Sequence, residues 1–479
     1  MYISSTGSLT CGRQNPDFAL FPYMTDDIIL STSELTGPKT IIQVEGLLKK
    51  QVWEPFSDRQ AGQYAITRSI AKSVTGNRLR FSETNNDLHL RFTYEWCATK
   101  ENGWIRHAWL TNLHNRIQQV HVLDGVQNVV PAGIDRYTNI NLPTLVDAYK
   151  RTERVSSTPL FLFTMEATLV DRPEPSESLY ANTAYFQFVT QPDNHFSDVV
   201  YLTSTNQLDT FRCGRKVQSQ SLSRGVRGAA LASFNVSLSD QTKSPSEISW
   251  YLVMNTHQNS AQVYDLVAEL QTAKLGTIPR QLEVNMDHAT ATLHDIVAQN
   301  DGVQLSADTA ANARHFANTL FNTMRGGFYC DTYTIDMKAF AHHVQIFNRP
   351  LYLQYETFFR TLPSEMTYET LGKTILQMQS SASQAQLYRL YLEYLPITFS
   401  RRHGDPSRPW NLFNIRVNDA NGKRIISYQG NWRDIFQNWE ALSVSYPDFV
   451  NSIIAKFLNA TTRDGYNPYR VTSEGIDWE

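Results

Sequence analysis

The sequence predicts a multidomain chain, β first and α second. A large antiparallel β-sandwich is expected over residues 1–256, a helical linker over 257–330 and the start of a further helical domain over 331–479. Three observations carry this. At 479 residues the chain is too long for one ordinary hydrophobic core. Up to about Thr256 apolar residues recur with a period of two, and beyond it they recur at helical spacing. The final helices read as hairpins that cannot bury their apolar stripes on both sides, so the last domain is expected to be incomplete and the chain a fragment.

In the first part, Leu88, Leu90, Phe92 and Tyr94 alternate with His89, Arg91, Thr93 and Glu95, the pattern of a half-buried strand. Further apolar or alternating runs lie at 117–122, 160–170, 185–189, 199–202 and 250–254, separated by Asn, Asp, Gly, Pro and Ser clusters. Many strands without intervening helices argue for an antiparallel sandwich. After Thr256, Val263, Leu266, Val267 and Leu270 share one helical face, as do Leu293, Ile296 and Val297. A longer helix is expected over 306–324, striped by Ala313, Phe316, Leu320 and Met324 and capped by Ser306 or Asp308. Helices follow at 336–347, 363–378 and 383–395. Two strand-like runs, 412–417 and 424–428, flank an Asn421-Gly422 hairpin signal.

Gly430 then reads as a turn opening a helix. Ile435, Phe436, Trp439 and Leu442 form its buried stripe, leaving Trp432, Arg433, Asp434 and Gln437 at its mouth. Asp434 also suits the positive end of the helix dipole. A last helix over 446–459 buries Phe449, Ile453 and Phe457 and runs into a loop holding Asp464, Tyr466, Asn467, Tyr469 and Arg470.

Composition excludes several functions. A net charge of -3 gives no electrostatic case for nucleic acid or an anionic membrane as partner. No run is long enough to span a membrane, and the N-terminus lacks a signal-peptide pattern. The four cysteines, Cys11, Cys97, Cys213 and Cys330, are isolated, as thiols packed in a reducing compartment would be, so a cytoplasmic location is expected. Gly225 to Gly228 lacks the strand–turn–helix setting of a phosphate loop. His342 and His343 diverge on a helix, so no metal site is expected, and no cofactor.

Two stretches carry candidate chemistry. Arg401, Arg402 and His403, stiffened by Gly404, Pro406 and Pro409, form a cationic loop suited to an anion or to sugar hydroxyls; it reads equally as a salt-bridged connector. Aromatic rings beside amides and carboxylates at 464–470 suit carbohydrate, though the same residues make ordinary tight turns.

The stretch Gly430-Asn431-Trp432-Arg433-Asp434-Ile435-Phe436-Gln437 resembles the Gly-x-x-aromatic-Arg-Asp-x-x-Gln segment of the cellobiose and chitobiose phosphorylase family, glycoside hydrolase family 94 of the six-hairpin glycosidases, with one residue instead of two between the glycine and the aromatic. Residues 6–13 and 21–27 are similar to the opening of large bacterial relatives of these enzymes. The resemblance implies a galactose-mutarotase-like sandwich, a helical linker and an (α/α)6 barrel. Arg433 and Asp434 would hold sugar hydroxyls where the glycosidic bond is cut, with Trp432 and Gln437 in support. Tyr466, Asn467 and Arg470 would stand at the pocket mouth; Arg401, Arg402 and His403 are candidate phosphate or sugar contacts on position and chemistry alone, since the family's main phosphate-binding residues lie farther along the barrel. It further implies an oligosaccharide substrate, inorganic phosphate as co-substrate and a homodimer. The family's general acid lies farther along the barrel, so Asp434 is expected to bind and orient, not to act as the acid, and this chain alone to be inactive. A non-catalytic carbohydrate-binding scaffold of the same fold is the alternative.

Overall fold

The computed structural model describes residues 1–13, 17–23, 28–45, 50–167, 169, 180–189, 196–240, 246–324, 327–398 and 418–478, apart from the side chains of Gln429, Asp434, Gln437 and Asn438. Contacts divide the chain into two compact units, Met1–Thr290 and Ala291–Glu479.

The first unit is built from antiparallel strands. In chain order they are β1 (Gly37–Val44), β2 (Gln51–Trp53), β3 (Ile66–Lys72), β4 (Arg78–Asn85), β5 (Leu90–Thr99), β6 (Gly103–Asn112) and β7 (Gln118–Val129). After these come β8 (Lys150–Arg154), β9 (Leu160–Met165), β10 (Tyr180–Val189), β11 (Phe196–Ser204), β12 (Leu222–Arg224), β13 (Gly228–Leu238) and β14 (Glu247–Asn259). One sheet has nine strands in the order β12-β8-β9-β10-β14-β6-β5-β4-β3, and the other five in the order β11-β13-β7-β1-β2. Alternation decides which faces meet. Phe81, Phe92, Tyr94, Phe186 and Trp250 of the larger sheet and Ile42, Val122, Val126 and Phe234 of the smaller one form a single buried core.

A polar clamp crosses that core. Arg106 on β6 and Asp124 on β7 are both fully buried and pair bidentately, at 2.9 and 3.0 Å. Trp250 Nε1 and Thr40 Oγ1 also donate to Asp124, at 2.7 and 2.6 Å. Next to it, Gly125 has φ +153°, and a Cβ there would lie 2.0 Å from the carbonyl oxygen of Ala230. That backbone is fixed by pairing, because β7 is hydrogen-bonded on both sides, Gly125 lying opposite Leu231 and Lys39. Gly125→Ala should therefore cost about 2–3 kcal/mol, as overpacking against immovable backbone does. Urea denaturation of the variant and the native protein checks this.

On the far side of the larger sheet, α1 (Ser260–Thr272) and the first part of α2 (Thr277–Ala298) pack through Leu266, Val267, Leu270, Ile278, Leu282 and Met286. The contact division falls within α2, whereas the sequence period changes at Thr256.

The second unit is mainly helical: α3 (Thr309–Met324), α4 (Met337–Phe347), α5 (Tyr368–Leu376), α6 (Ala382–Leu392), α7 (Trp432–Ser445) and α8 (Val450–Ala460). Its core joins Tyr329, Phe340, Val344, Leu371, Leu387, Ile435, Trp439 and Phe449. The helix starts follow their caps. Asp308 accepts from Ala311 N, Asp336 from Lys338 N and Ala339 N, and Thr367 from Thr370 N. The 363–378 helix consequently begins only at Tyr368, behind a short strand, Glu365–Thr367, paired with Thr334–Asp336. The stripes also need correcting. Met324 and Phe436, expected inside, are 62% and 45% exposed, because each lies at the edge of its helix's buried arc. The Asn421-Gly422 turn is present, with Gly422 at φ +81° and Asp419 Oδ1 accepting from Asn421 N and Lys423 N. The run 424–428 forms no strand: it makes the isolated bridge Asn418–Arg424 and single backbone hydrogen bonds with Ile397 and Ser473; the run 412–417 lies outside the described residues.

No helix among the described residues is long and apolar enough to cross a membrane. Cys11 and Cys97 are buried, as isolated thiols were expected to be, but Cys213 is exposed.

Candidate active site

The candidate site gathers where α7 begins. Gly430 is not in a turn. It belongs to β15 (Gln429–Asn431), which pairs with β16 (Arg470–Thr472), itself paired with β17 (Ile476–Asp477). Glycine is needed there for close approach: a Cβ would lie 2.8 Å from Ile435 Cδ1, so any side chain would push the first turn of α7 off its own strand.

This pairing sets Arg470 directly opposite Asn431. Asn431 is the N-cap of α7, with extended backbone, yet its side chain caps nothing. It is 3% exposed, and its Oδ1 receives no hydrogen bond among the described residues. Trp432 N donates to the carbonyl of Tyr469 at 2.9 Å. The Trp432 ring stands edge-on to Phe436 and to Phe457 of α8, with centroids 5.2 and 5.5 Å away. Arg433 is exposed beside it. Arg470 pairs with Asp477 at 2.9 Å, its guanidinium 5.9 Å from the Tyr469 ring.

Strand pairing thus brings Trp432, Arg433 and Arg470 to one end of α7. Tyr466 and Asn467 sit on the exposed turn between α8 and β16. There Tyr466 N donates to Thr462 Oγ1 at 2.9 Å, and Asn467 Oδ1 accepts from Thr461 Oγ1 at 3.3 Å. Tyr466 is 73% exposed. Asp434 and Gln437 lie in the opening turns of α7 by backbone position, but their side chains are outside the described residues, as are Arg401, Arg402 and His403 entirely. The buried oxygen of Asn431 was missed by sequence reasoning, since its burial depends on pairing with Arg470 on a strand distant in the chain.

Elsewhere in this unit the titratable groups are structural. His343 is buried between Phe347 and Tyr394 and donates through Nε2 to the carbonyl of Leu390 at 3.2 Å. Burial, then the nearby Lys456 charge, pushes its pKa down to about 3. The unfolded chain therefore binds a proton between about pH 6.5 and 3 that the folded unit refuses. Stability is full above that window and falls as pH drops through it, by at most about 1.4 kcal/mol per pH unit. His343→Phe should flatten this loss, read from urea midpoints at pH 7 and 4.5. For Asp336, burial opposes ionisation, but Lys423 and the amides of Ala339 and Lys338 outweigh it and hold the carboxyl below its ordinary value. It is a cap, not an acid catalyst. His342 is exposed while His343 is buried, and no metal-holding cluster occurs among the described residues.

The model of glycoside hydrolase family 149 insertion domain 1 matches residues 329–396. No curated protein matches the chain. Among solved structures, a bacterial glucoamylase complexed with acarbose is similar over 73% of this chain and 54% of its own, at 9% identity and a TM-score of 0.36. An inferred kojibiose phosphorylase from the human microbiome overlaps 64% of this chain and 36% of its own, at 6% identity and 0.35. A family 92 inverting mannosidase from Bacteroides thetaiotaomicron overlaps 62% and 30%, at 9% identity and 0.28. The chain thus spans about half the length of the first of these and about a third of the other two. The match over residues 329–396 supports a glycoside hydrolase or phosphorylase-like family, as the resemblance implied, without supporting family 94 specifically.

Proposed function

We propose that this chain is part of a carbohydrate-active enzyme that cleaves or forms glycosidic bonds in oligosaccharides, and that the start of α7 is its sugar-binding mouth. The observation carrying this is the buried Asn431 Oδ1, which lacks a donor among the described residues, beside an aromatic ring, an exposed arginine and Arg470. A sugar supplies the missing partner: a hydroxyl donates to the orphan oxygen, a second accepts from a guanidinium, and an apolar ring face covers the indole. The glycoside hydrolase match over residues 329–396 supports the same class.

In this reading residues 1–256 are a galactose-mutarotase-like sandwich, 257–330 a linker and 331–479 the start of an (α/α)6 barrel. Asp434 and Gln437 complete the mouth, while Arg401, Arg402 and His403 receive inorganic phosphate where phosphate is the nucleophile. The parent is a cytoplasmic homodimer. None of the described carboxylates is assigned as general acid. The test is calorimetric titration of the chain with a panel of α- and β-linked di- and trisaccharides, followed by assays of the parent enzyme with and without phosphate. Binding of at least one saccharide is expected, and sugar 1-phosphate formed only with phosphate would mark a phosphorylase. A panel with no binder would sink the proposal.

A further inference from the structure

The five-stranded sheet has a second polar feature, built from other residues than the α7 mouth. Its inner face is apolar, so a period of two turns Gln43, His121 and Asn235 outward. Register aligns them in one row: Gln43 lies opposite His121, His121 opposite Asn235, and Asn235 opposite Ser197. Adjacent strands are about 4.8 Å apart, so four such side chains span about 14 Å, roughly a disaccharide. The row floors a cleft of ≈ 340 Å³, within the usual range for small-molecule sites.

Two details separate it from an ordinary polar surface. Gln43 is 1% exposed; its Nε2 donates to the carbonyl of Phe211, but its Oε1 accepts nothing among the described residues. A buried acceptor left over in this way calls for a donor from outside the protein. The rim, in addition, holds Lys50, Arg215 and Lys216, none of which makes an ion pair among the described residues, against two carboxylates, Glu45 and Asp198, the latter accepting from Asn235 Nδ2 at 2.9 Å. The Lys50 stem passes close to Gly214, where a Cβ would lie 3.5 Å from its Cδ. His121 is bonded to Ser233 Oγ at 2.9 Å and set edge-on to Phe211. Burial, then the Lys50 charge, lowers its pKa to about 4, so it stands neutral at pH 7 and exchanges hydrogen bonds with hydroxyls.

We propose that this cleft binds an anionic saccharide, its hydroxyls on the Gln43–His121–Asn235 row and its phosphate or carboxylate on the Lys50, Arg215 and Lys216 rim. Amides and a neutral imidazole match hydroxyls, while the rim matches an anion through charge-assisted hydrogen bonds.

The test is calorimetric titration of the full chain with glucose 1-phosphate, glucuronate, inorganic phosphate and glucose. One or both anionic sugars should bind, at least roughly tenfold tighter than glucose or phosphate alone, and which one binds identifies the anion. The exposed pair Lys50→Ala/Lys216→Ala and, separately, Asn235→Ala should each weaken that binding roughly fivefold or more. Phosphate binding as tightly as glucose 1-phosphate would reduce the rim to an adventitious anion site and overturn the proposal. So would glucose binding equally well, binding insensitive to the cleft variants, or none at all.

Discussion

Asp124→Ala is expected to destabilise the first unit by about 3–5 kcal/mol, the cost of stranding a buried charge. Four donors depend on that carboxylate: both terminal nitrogens of Arg106, the indole of Trp250 and the hydroxyl of Thr40. With alanine there, the Arg106 guanidinium stays fully buried, with no carboxylate and only the Tyr94 and Phe92 rings, 4.7 and 5.8 Å from its centre, and a long 3.4 Å hydrogen bond to Thr40 Oγ1 as compensation. Since whole domains are stable by only about 5–15 kcal/mol, the variant should unfold at far lower urea, followed by tryptophan fluorescence. The double variant Arg106→Met/Asp124→Leu separates the causes. It removes charge and partner together, and buried pairs replaced by apolar residues are often neutral or better. Recovery of most of the lost stability is expected. A loss below about 1 kcal/mol in Asp124→Ala would mean that water or another group reaches Arg106 and that the clamp does not tie the sheets.

That clamp shows where the sequence stops being legible. The alternation from Leu90 to Tyr94 reads directly as a strand, because each residue's side is set by its neighbours; Leu88 is buried too, but it lies in the preceding turn, where His89 has φ +54°. In β7, Asp124-Gly125 has the composition of a hairpin turn, and the strand expected from the sequence stops at Val122. Yet β7 continues to Val129. What overrides the local signal lies far away in the chain: Arg106 and Trp250 neutralise and satisfy Asp124, and the Ala230 carbonyl claims the space a side chain at 125 would fill. The same holds at the candidate site. That a helix begins at Trp432 is readable from its periodicity. That Gly430 is a strand residue, with Arg470 across from Asn431, is not, since pairing between distant strands leaves no local mark. The row Gln43–His121–Asn235 was equally hidden: each residue is one polar position in its own strand, and only register makes them a surface.

The largest effect on ligand binding is expected at Arg433. A hydrogen bond to a charged group is worth about 1.5–3 kcal/mol, so Arg433→Ala should weaken oligosaccharide binding about 10- to 100-fold. The fold is not at risk, because Arg433 is exposed in the first turn of α7 and the helix is anchored from its other face by Ile435, Trp439 and Leu442. Unchanged urea midpoints should accompany the affinity loss. Arg433→Lys keeps the charge but not the planar fork, so it should recover only part of the binding; full recovery would mean that a point charge suffices. Trp432→Ala differs in kind. Its ring packs on Phe436 and Phe457, so stability and affinity should fall together. Asn431→Leu removes the orphan oxygen at similar size. If that oxygen waits for a sugar hydroxyl, the variant should lose affinity while gaining stability, since a buried polar atom without a partner is costly until the ligand arrives. Arg433→Ala and Asn431→Leu both binding like the native chain would leave the start of α7 an ordinary helix end, with the sugar held elsewhere.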